Sequence, residues 1–233
     1  MAAFSYFREF VKTFVEALLA FVYPPLCLVC KTHLAPDEQH VCTRCWRELP
    51  RLREKGEIPA DLANRDGLSK LVSLWPFEDE VQKVIHDFKY AGMKSLGDQI
   101  GGEMAQLLLA EPEYVQSDLI VPVPLHKTRM RQRGYNQSTI LSRAISQSIQ
   151  VPVESKVLMR IRNTKSQANL NAEQRQRNVD GAFQTRAPEP VVGKTILLVD
   201  DVCTTGATLS GCARALLRAG AGRVLAVTAA KTP

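Results

Sequence analysis

The chain has 233 residues, of which 45% are hydrophobic and 23% are charged. These fractions lie near the averages of globular proteins and exclude a disordered, collagen-like or coiled-coil chain. The length exceeds a common domain of about 100–150 residues but falls short of two, which predicts one large domain with a small appendage. The formal net charge of +6 is mild.

The first 22 residues are rich in Phe, Val and Leu, but charged residues at positions 8, 9, 12 and 16 interrupt the apolar run. We therefore predict neither a transmembrane segment nor a signal peptide, and we expect a cytoplasmic protein. Apolar residues recur every three or four positions between Phe4 and Phe21, which predicts an amphipathic helix. Its apolar face would pack on the protein's own body, on a partner helix or on a membrane surface.

Four cysteines form two Cys-x-x-Cys pairs with eleven residues between them: Cys27, Cys30, Cys42 and Cys45. Two such pairs supply the four thiolate ligands that tetrahedral Zn²⁺ prefers. Disulfides rarely persist in the reducing compartment expected here, whereas an iron centre or a thiol redox pair remains an alternative. Because thiolates fill all four positions, we predict a structural site whose metal helps this short segment to fold.

Residues 50–67 mix charges with proline and glycine and mark a boundary. We predict an amino-terminal module over residues 1–60, which holds the helix and the zinc site, and a main domain over residues 61–233. Predicted strands and helices alternate in the main domain, which indicates an α/β fold with a largely parallel sheet. The strands cover residues 71–77, 119–123, 194–199 and 223–228, and the helices cover residues 80–90, 96–109, 136–149 and 208–219.

Residues 195–208 (TILLVDDVCTTGAT) run from an apolar strand through an acidic pair into a loop and a helix. The carboxylates of Asp200 and Asp201 suit sugar hydroxyls and, through water, Mg²⁺. Small residues, hydroxyls and helix amides then suit a phosphate. These phosphate-facing positions are Thr204, Thr205, Gly206, Ala207 and Thr208. An ordinary capped turn explains one acid but not the pair and the threonine loop, so the segment predicts a ribose 5-phosphate site.

Positive charge is concentrated in residues 119–178, which carry eleven Lys or Arg against two Glu. This segment has a net charge of +9, and the rest of the chain has −3. Such a concentration is typical of a site for phosphate or a polyanion, and a solvated surface is the alternative. Tyr135 is the only aromatic residue of the segment, so binding of single-stranded DNA by it would be mainly electrostatic.

The acidic pair and its loop resemble the site for 5-phosphoribosyl 1-diphosphate (PRPP) in type I phosphoribosyltransferases. With the cysteine pairs and further motifs, nearly the whole chain resembles the ComF/GntX family. Those motifs are SLWPF at 73–77, HDFKY at 86–90, VPVPLH at 121–126, RQRGYNQ at 131–137 and RQRNVDGAF at 175–183. The resemblance implies a zinc-bearing module joined to a type I phosphoribosyltransferase-like domain, in a bacterial family linked to DNA uptake during natural competence.

The resemblance also implies roles for two cationic regions. A turn after the strand at 119–123 would receive pyrophosphate, and a mobile hood over residues 160–178 would close on the diphosphate. The turn contains His126, Lys127 and Arg129. The hood contributes Arg160, Arg162, Lys165 and Gln167.

Three functions remain open on the sequence. The chain would bind PRPP or a related ribose phosphate with Mg²⁺ and act in DNA uptake, with single-stranded DNA and competence proteins as partners. Alternatively, it would be an active phosphoribosyltransferase that transfers ribose 5-phosphate from PRPP to a base or amine. A third possibility is an interaction hub built on the amphipathic helix and the zinc module. No general base is assigned. In type I enzymes a variable hood selects the nucleobase, and the resemblance implies that the zinc module partly replaces that region here.

Overall fold

The computed structural model describes residues 24–52, 67–162, 181–186 and 188–232. The chain divides into two compact units between Leu49 and Pro50. The amphipathic helix predicted over residues 4–21 lies outside the described residues, and the boundary predicted after residue 60 falls in the undescribed range 53–66. Within the described ranges, no helix is both long and apolar enough to cross a membrane.

The first unit has one short helix, α1 (Thr43–Glu48), among its described residues. Cys42 caps this helix, and its sulfur accepts a hydrogen bond from the Cys45 amide. Two isolated bridges, Leu26 with His33 and Gln39 with Val41, shape the preceding turns. Apart from its cysteines, the unit buries only Val41 and Leu49 among its described hydrophobic residues. So small a core requires support from a metal or another crosslink.

The second unit is built on a four-stranded parallel sheet. Its strands are β1 (Lys70–Pro76), β2 (Leu119–Pro122), β5 (Thr195–Cys203) and β6 (Arg223–Lys231). They lie in the order β1-β6-β5-β2. A separate antiparallel pair joins β3 (Leu158–Arg160) and β4 (Phe183–Thr185). The α/β class with a parallel sheet is therefore confirmed.

Six helices complete the described part of the second unit: α2 (Asp79–Tyr90), α3 (Lys94–Leu109), α4 (Pro112–Val115), α5 (Lys127–Arg133), α6 (Gln137–Ile149) and α7 (Ala207–Arg218). The sequence predicted all four sheet strands and the helices α2, α3, α6 and α7. Helix α2 shows why such segments are recognisable: acids occupy its first turn and Lys89 its last, which complements the helix dipole.

Close packing of helices on the central strands fixes the position of the strand ends. Residues 224–230 of β6 are all buried, as expected for a parallel strand covered on both faces. Helices α3 and α6 approach so closely that a Cβ added at Gly101 would lie 2.5 Å from the Cβ of Ala144. Val199 pairs with Pro122 on one side and Val227 on the other. The carboxyl ends of these strands therefore meet at one edge of the sheet.

Candidate functional site

A cleft of about 330 Å³ opens at this edge of the sheet. Its lining comes from residues that follow β1 and β2, from the last part of β5 and the loop after it, and from α2, α5, α6, α7 and β3. The volume falls in the range of small-molecule sites, about 300–1,000 Å³. Ligands of open parallel sheets bind at the carboxyl ends of the strands, which is where this cleft lies.

The acidic pair belongs to β5 and faces the cleft. One carboxylate oxygen of Asp200 accepts hydrogen bonds from the Ser138 hydroxyl and from the Asp201 amide, both at 2.9 Å. Burial, followed by the charge of Asp201, raises the pKa of Asp200 to about 7. Two adjacent carboxylates in a partly buried place repel each other, so the site favours a cation or hydrogen-bond donors between them.

Lys89 supplies such a cation from the end of α2. Its ammonium lies 3.0 Å from Asp201 Oδ1, and the two side chains are only 18% and 12% exposed. Lys89 belongs to the motif HDFKY at 86–90 but was not predicted as a site residue. No spacing rule links positions 89 and 201, so the sequence held no signal for this ion pair.

The predicted phosphate loop joins β5 to α7. Gly206 has a φ of 71°, in the left-handed region that favours glycine, and it precedes the first residue of α7. Thr204 and Thr208 line the cleft. The Thr205 hydroxyl oxygen is buried and has no hydrogen-bond partner among the described residues. The loop thus offers helix amides and an unsatisfied hydroxyl to an anion.

The segment after β2 differs from the predicted turn, because Lys127 and Arg129 lie in helix α5. His126 caps this helix by accepting a hydrogen bond from the Thr128 amide at 3.3 Å, and Gly134, with a φ of 74°, ends it. The prediction of a turn was wrong because it overlooked this cap and the absence of a helix breaker before Gly134. Arg129 lines the cleft, whereas His126 and Lys127 line a neighbouring cavity of about 570 Å³.

The predicted hood residues divide between described and undescribed parts of the chain. Arg160 ends β3 and lines both cavities. Burial and the nearby charge of Arg129 lower the pKa of Arg160. Arg162 is exposed, and Lys165 and Gln167 lie outside the described residues.

Sequence reasoning also missed Arg133 and Tyr90, which line the cleft together. Arg133 donates hydrogen bonds at 3.0 Å to the Tyr90 hydroxyl and to the Gln137 side chain. Its guanidinium carbon lies 4.9 Å from the centroid of the Tyr90 ring. Both residues stood in the quoted family motifs, but only the fold brings the two motifs into contact.

The four predicted metal ligands of the first unit come together, with their sulfur atoms all within 4.8 Å of one another. Tetrahedral zinc with Zn–S bonds of about 2.3 Å requires sulfur atoms about 3.8 Å apart, and the sulfurs of Cys30 and Cys42 are 3.8 Å apart. Hydrogen bonds from the Thr32 hydroxyl and amide lower the pKa of Cys30 to about 6. A lowered pKa favours the thiolate, which is the form of cysteine that binds a metal.

Comparison with known proteins gives two domain matches. The phosphoribosyl transferase domain family matches residues 134–233, and the double zinc ribbon domain family matches residues 18–56. The second match agrees with the four-cysteine cluster, which is therefore a structural zinc site. The first match covers β3 to β6 and the predicted phosphate loop.

Several relatives match most of the chain, including the three that follow. DNA utilization protein YhgH of Escherichia coli strain K12 is 31% identical over 220 residues, which cover 86% of this chain and 94% of that protein. Competence protein F of Haemophilus influenzae is 24% identical over 83% of this chain and 91% of its own length. Competence protein ComFC of Bacillus subtilis is 24% identical over 84% of this chain and 79% of its own length.

The order of the two domain matches agrees with the two units of the structure, and the similarity to YhgH extends over nearly the full length of both proteins. The chain therefore belongs to the ComF/GntX family, in which a cysteine-based zinc module precedes a phosphoribosyltransferase-type domain.

Proposed function

We propose that the chain binds PRPP, or a related ribose 5-phosphate, together with Mg²⁺ in the cleft at the end of β5, and that this binding serves DNA uptake or utilisation. The observation that carries the proposal is the grouping of an acidic pair, a threonine loop and three arginines around one cavity. Each group matches one part of PRPP: the ribose hydroxyls, the 5-phosphate and the diphosphate.

The ribose 5-phosphate would lie between the acidic pair and the start of α7. Asp200 and Asp201 are acceptors, as the ribose hydroxyls require. The loop supplies donors, and a phosphate oxygen would give the buried Thr205 hydroxyl the partner that it lacks among the described residues. Phosphate at the amino terminus of the 12-residue helix α7 also gains from the helix dipole.

The diphosphate would lie against Arg129, Arg133 and Arg160, which line the same cleft. The charge of Arg129 contributes to the lowered pKa of Arg160, so the two guanidinium groups repel each other. A diphosphate between them would replace this repulsion with charge-assisted hydrogen bonds.

Mg²⁺ fits the donor set of the acidic pair, because it binds carboxylates and ligand phosphates through oxygen and keeps several waters. Asp200 and Asp201 would hold it through water, and the ion would offset the negative charge of the diphosphate when bound. Lys89 forms an ion pair with Asp201 in the structure. Its ammonium would therefore exchange its partner when the ion and the ligand enter.

The role in DNA uptake or utilisation is supported by relatives named DNA utilization protein and competence protein. The net charge of +9 in residues 119–178 also favours contact with a polyanion. Such contact would weaken steeply with salt, because it releases counterions. Retention of labelled single-stranded DNA by the immobilised chain, measured at increasing salt, tests this part. A chain that retains no DNA at low ionic strength contradicts it.

Transfer of the phosphoribosyl group is the second candidate function, and the three arginines around the expected leaving group favour it. The C1–O bond would break and its electron pair would leave with pyrophosphate. A C1–N bond would form to a base or amine, whose proton passes to water. The arginines would stabilise charge that grows on the leaving group. No general base is assigned.

Titration calorimetry with PRPP, in the presence and absence of Mg²⁺, tests the proposed binding. We expect saturable binding to the wild type and binding at least about 10-fold weaker to the double variant Asp200→Asn with Asp201→Asn. The matched control, Asp98→Asn with Glu80→Gln, removes the same charge from exposed helical positions and should bind normally. A wild type that does not bind PRPP overturns the proposal. Release of pyrophosphate with an added base or amine would separate the enzyme from a pure binding protein.

A further inference from the structure

Tyr90 is the last residue of α2, and its side chain is an exposed aromatic group in the wall of the cleft. The residue is 62% exposed. By contrast, Tyr135 is only 9% exposed, and its hydroxyl donates to the Phe88 carbonyl. Tyr135 therefore cannot stack on a ligand, whereas Tyr90 can.

Contacts on the protein side hold the Tyr90 ring in place. Arg133 binds its hydroxyl at 3.0 Å and is itself bound to the Gln137 side chain. The Gln137 amide in turn donates to the Lys89 carbonyl at 3.4 Å. The ring of His86 lies one helical turn earlier, with its centroid 4.9 Å from that of Tyr90 and a tilt of 43°. A ring held this way loses little conformational entropy when a ligand stacks on it.

PRPP has no aromatic group, so it would make no use of this ring. We propose that Tyr90 is a stacking platform for a nucleobase attached to the ribose phosphate in the cleft, where the Arg133 guanidinium already lies over the ring and His86 packs beside it. The ring lies in the same cavity as Asp200, Asp201 and Thr208. One nucleoside 5′-phosphate unit can therefore place its sugar and phosphate on those residues and its base on Tyr90.

This inference rests on the proposed function, because the acidic pair and the loop must hold the sugar phosphate. A nucleoside 5′-phosphate unit has two sources, a free mononucleotide or the 5′-phosphorylated end of a single DNA strand. Their shared chemistry is an aromatic base on a phosphorylated sugar. Stacking is tolerant of the base, since every base has an aromatic face, so the platform favours a base without selecting one.

Titration calorimetry on the full chain separates the contributions of sugar phosphate and base. The probes are ribose 5-phosphate, AMP, a 5′-phosphorylated ten-residue oligodeoxyadenylate and the same strand without its phosphate. We expect the wild type to bind AMP or the phosphorylated strand about 10-fold more tightly than ribose 5-phosphate. The tighter of the two identifies the source of the base.

Two variants of Tyr90 then test whether its ring causes the tighter binding of the base. Tyr90→Leu should lower the affinity for AMP or the phosphorylated strand about 10-fold more than the affinity for ribose 5-phosphate, whereas Tyr90→Phe keeps the ring and should keep the advantage of the base. Equal affinities of the wild type for ribose 5-phosphate, AMP and the phosphorylated strand overturn the platform but leave the proposed function standing. An equal loss of affinity for ribose 5-phosphate and AMP in Tyr90→Leu also overturns the platform, because it would mean that Tyr90 only positions Arg133. Failure of all phosphorylated probes to bind the wild type overturns the proposed function and the platform together.

Discussion

The ammonium of Lys89 lies 3.0 Å from a carboxylate oxygen of Asp201, so a cation from α2 neutralises one of the two acids at the end of β5. The neighbouring residue, Tyr90, binds Arg133 on the cationic side of the same cleft. Two consecutive residues at the end of α2 therefore contact an acidic and a basic side chain of the same cleft. The same two residues therefore affect both the stability of the fold and the charges that a ligand would meet in the cleft.

The ion pair itself is testable with Lys89→Met. Because both side chains are mostly buried, loss of the ammonium leaves Asp201 without its cation in a poorly solvated place. We expect the free energy of unfolding at pH 7 to fall on the order of 2–3 kcal/mol, measured by urea denaturation. Lys83→Met removes an exposed charge from the same helix and serves as the control. If the two variants unfold at the same urea concentration, the ion pair contributes little.

A pH dependence follows from the raised pKa of Asp200. Its value of about 7 lies above the ordinary value of 3.8 for an aspartate. The protonated form therefore favours the folded state, and this contribution is fully present below about pH 4 and lost as the pH rises through about 7. We expect Asp200→Asn, which keeps an acceptor oxygen, to unfold at higher urea than the wild type at pH 8 but not at pH 4. A difference that grows toward acid pH contradicts the raised pKa.

Zinc should determine the folding of the first unit. We expect about one zinc ion per chain by elemental analysis, and none after Cys45→Ser. A strong chelator should make residues 24–49 sensitive to protease while the second unit stays resistant, because the first unit buries so few apolar side chains. Cys203→Ala, a buried cysteine of β5 outside the cluster, is the control and should retain the metal. Protease resistance that survives complete removal of zinc would show that the metal is dispensable for folding.

Two adjacent glycines of α3 test the packing that positions the strand ends. A Cβ at Gly101 would lie 2.5 Å from the Ala144 Cβ, whereas one at Gly102 would meet no atom of the described structure within 4 Å. We expect Gly101→Ala to destabilise the protein by about 1–3 kcal/mol through overpacking. We expect Gly102→Ala to stabilise it by about 0.5–1 kcal/mol through helix propensity. Equal thermal shifts for the two variants contradict this close contact of α3 with α6.

The sequence predicted features whose determinants are local. The cysteine pairs predicted the metal cluster, because ligand spacing in two tight turns fixes where four sulfurs meet. The pattern of strand, acidic pair, loop and helix predicted the course of residues 195–208, because each step depends on neighbours along the chain. Helix α5 escaped prediction although its signals are also local, since a histidine is an uncommon cap. The predicted ligand roles of the loop, turn and hood residues stay predictions.

Which residues line the cleft together depended on the tertiary structure instead. The sequence showed a cationic segment, residues 119–178, with Tyr135 as its single aromatic residue, and predicted mainly electrostatic contact with nucleic acid. The tertiary structure buries Tyr135 and brings Lys89 to Asp201 and Tyr90 to Arg133. Arg133 and Tyr90 are more than 40 positions apart in the sequence, and Asp201 and Lys89 are more than 100 positions apart. The local sequence established which chemical groups are present, but only the packing of α2 beside the strand ends decided which of them share a site.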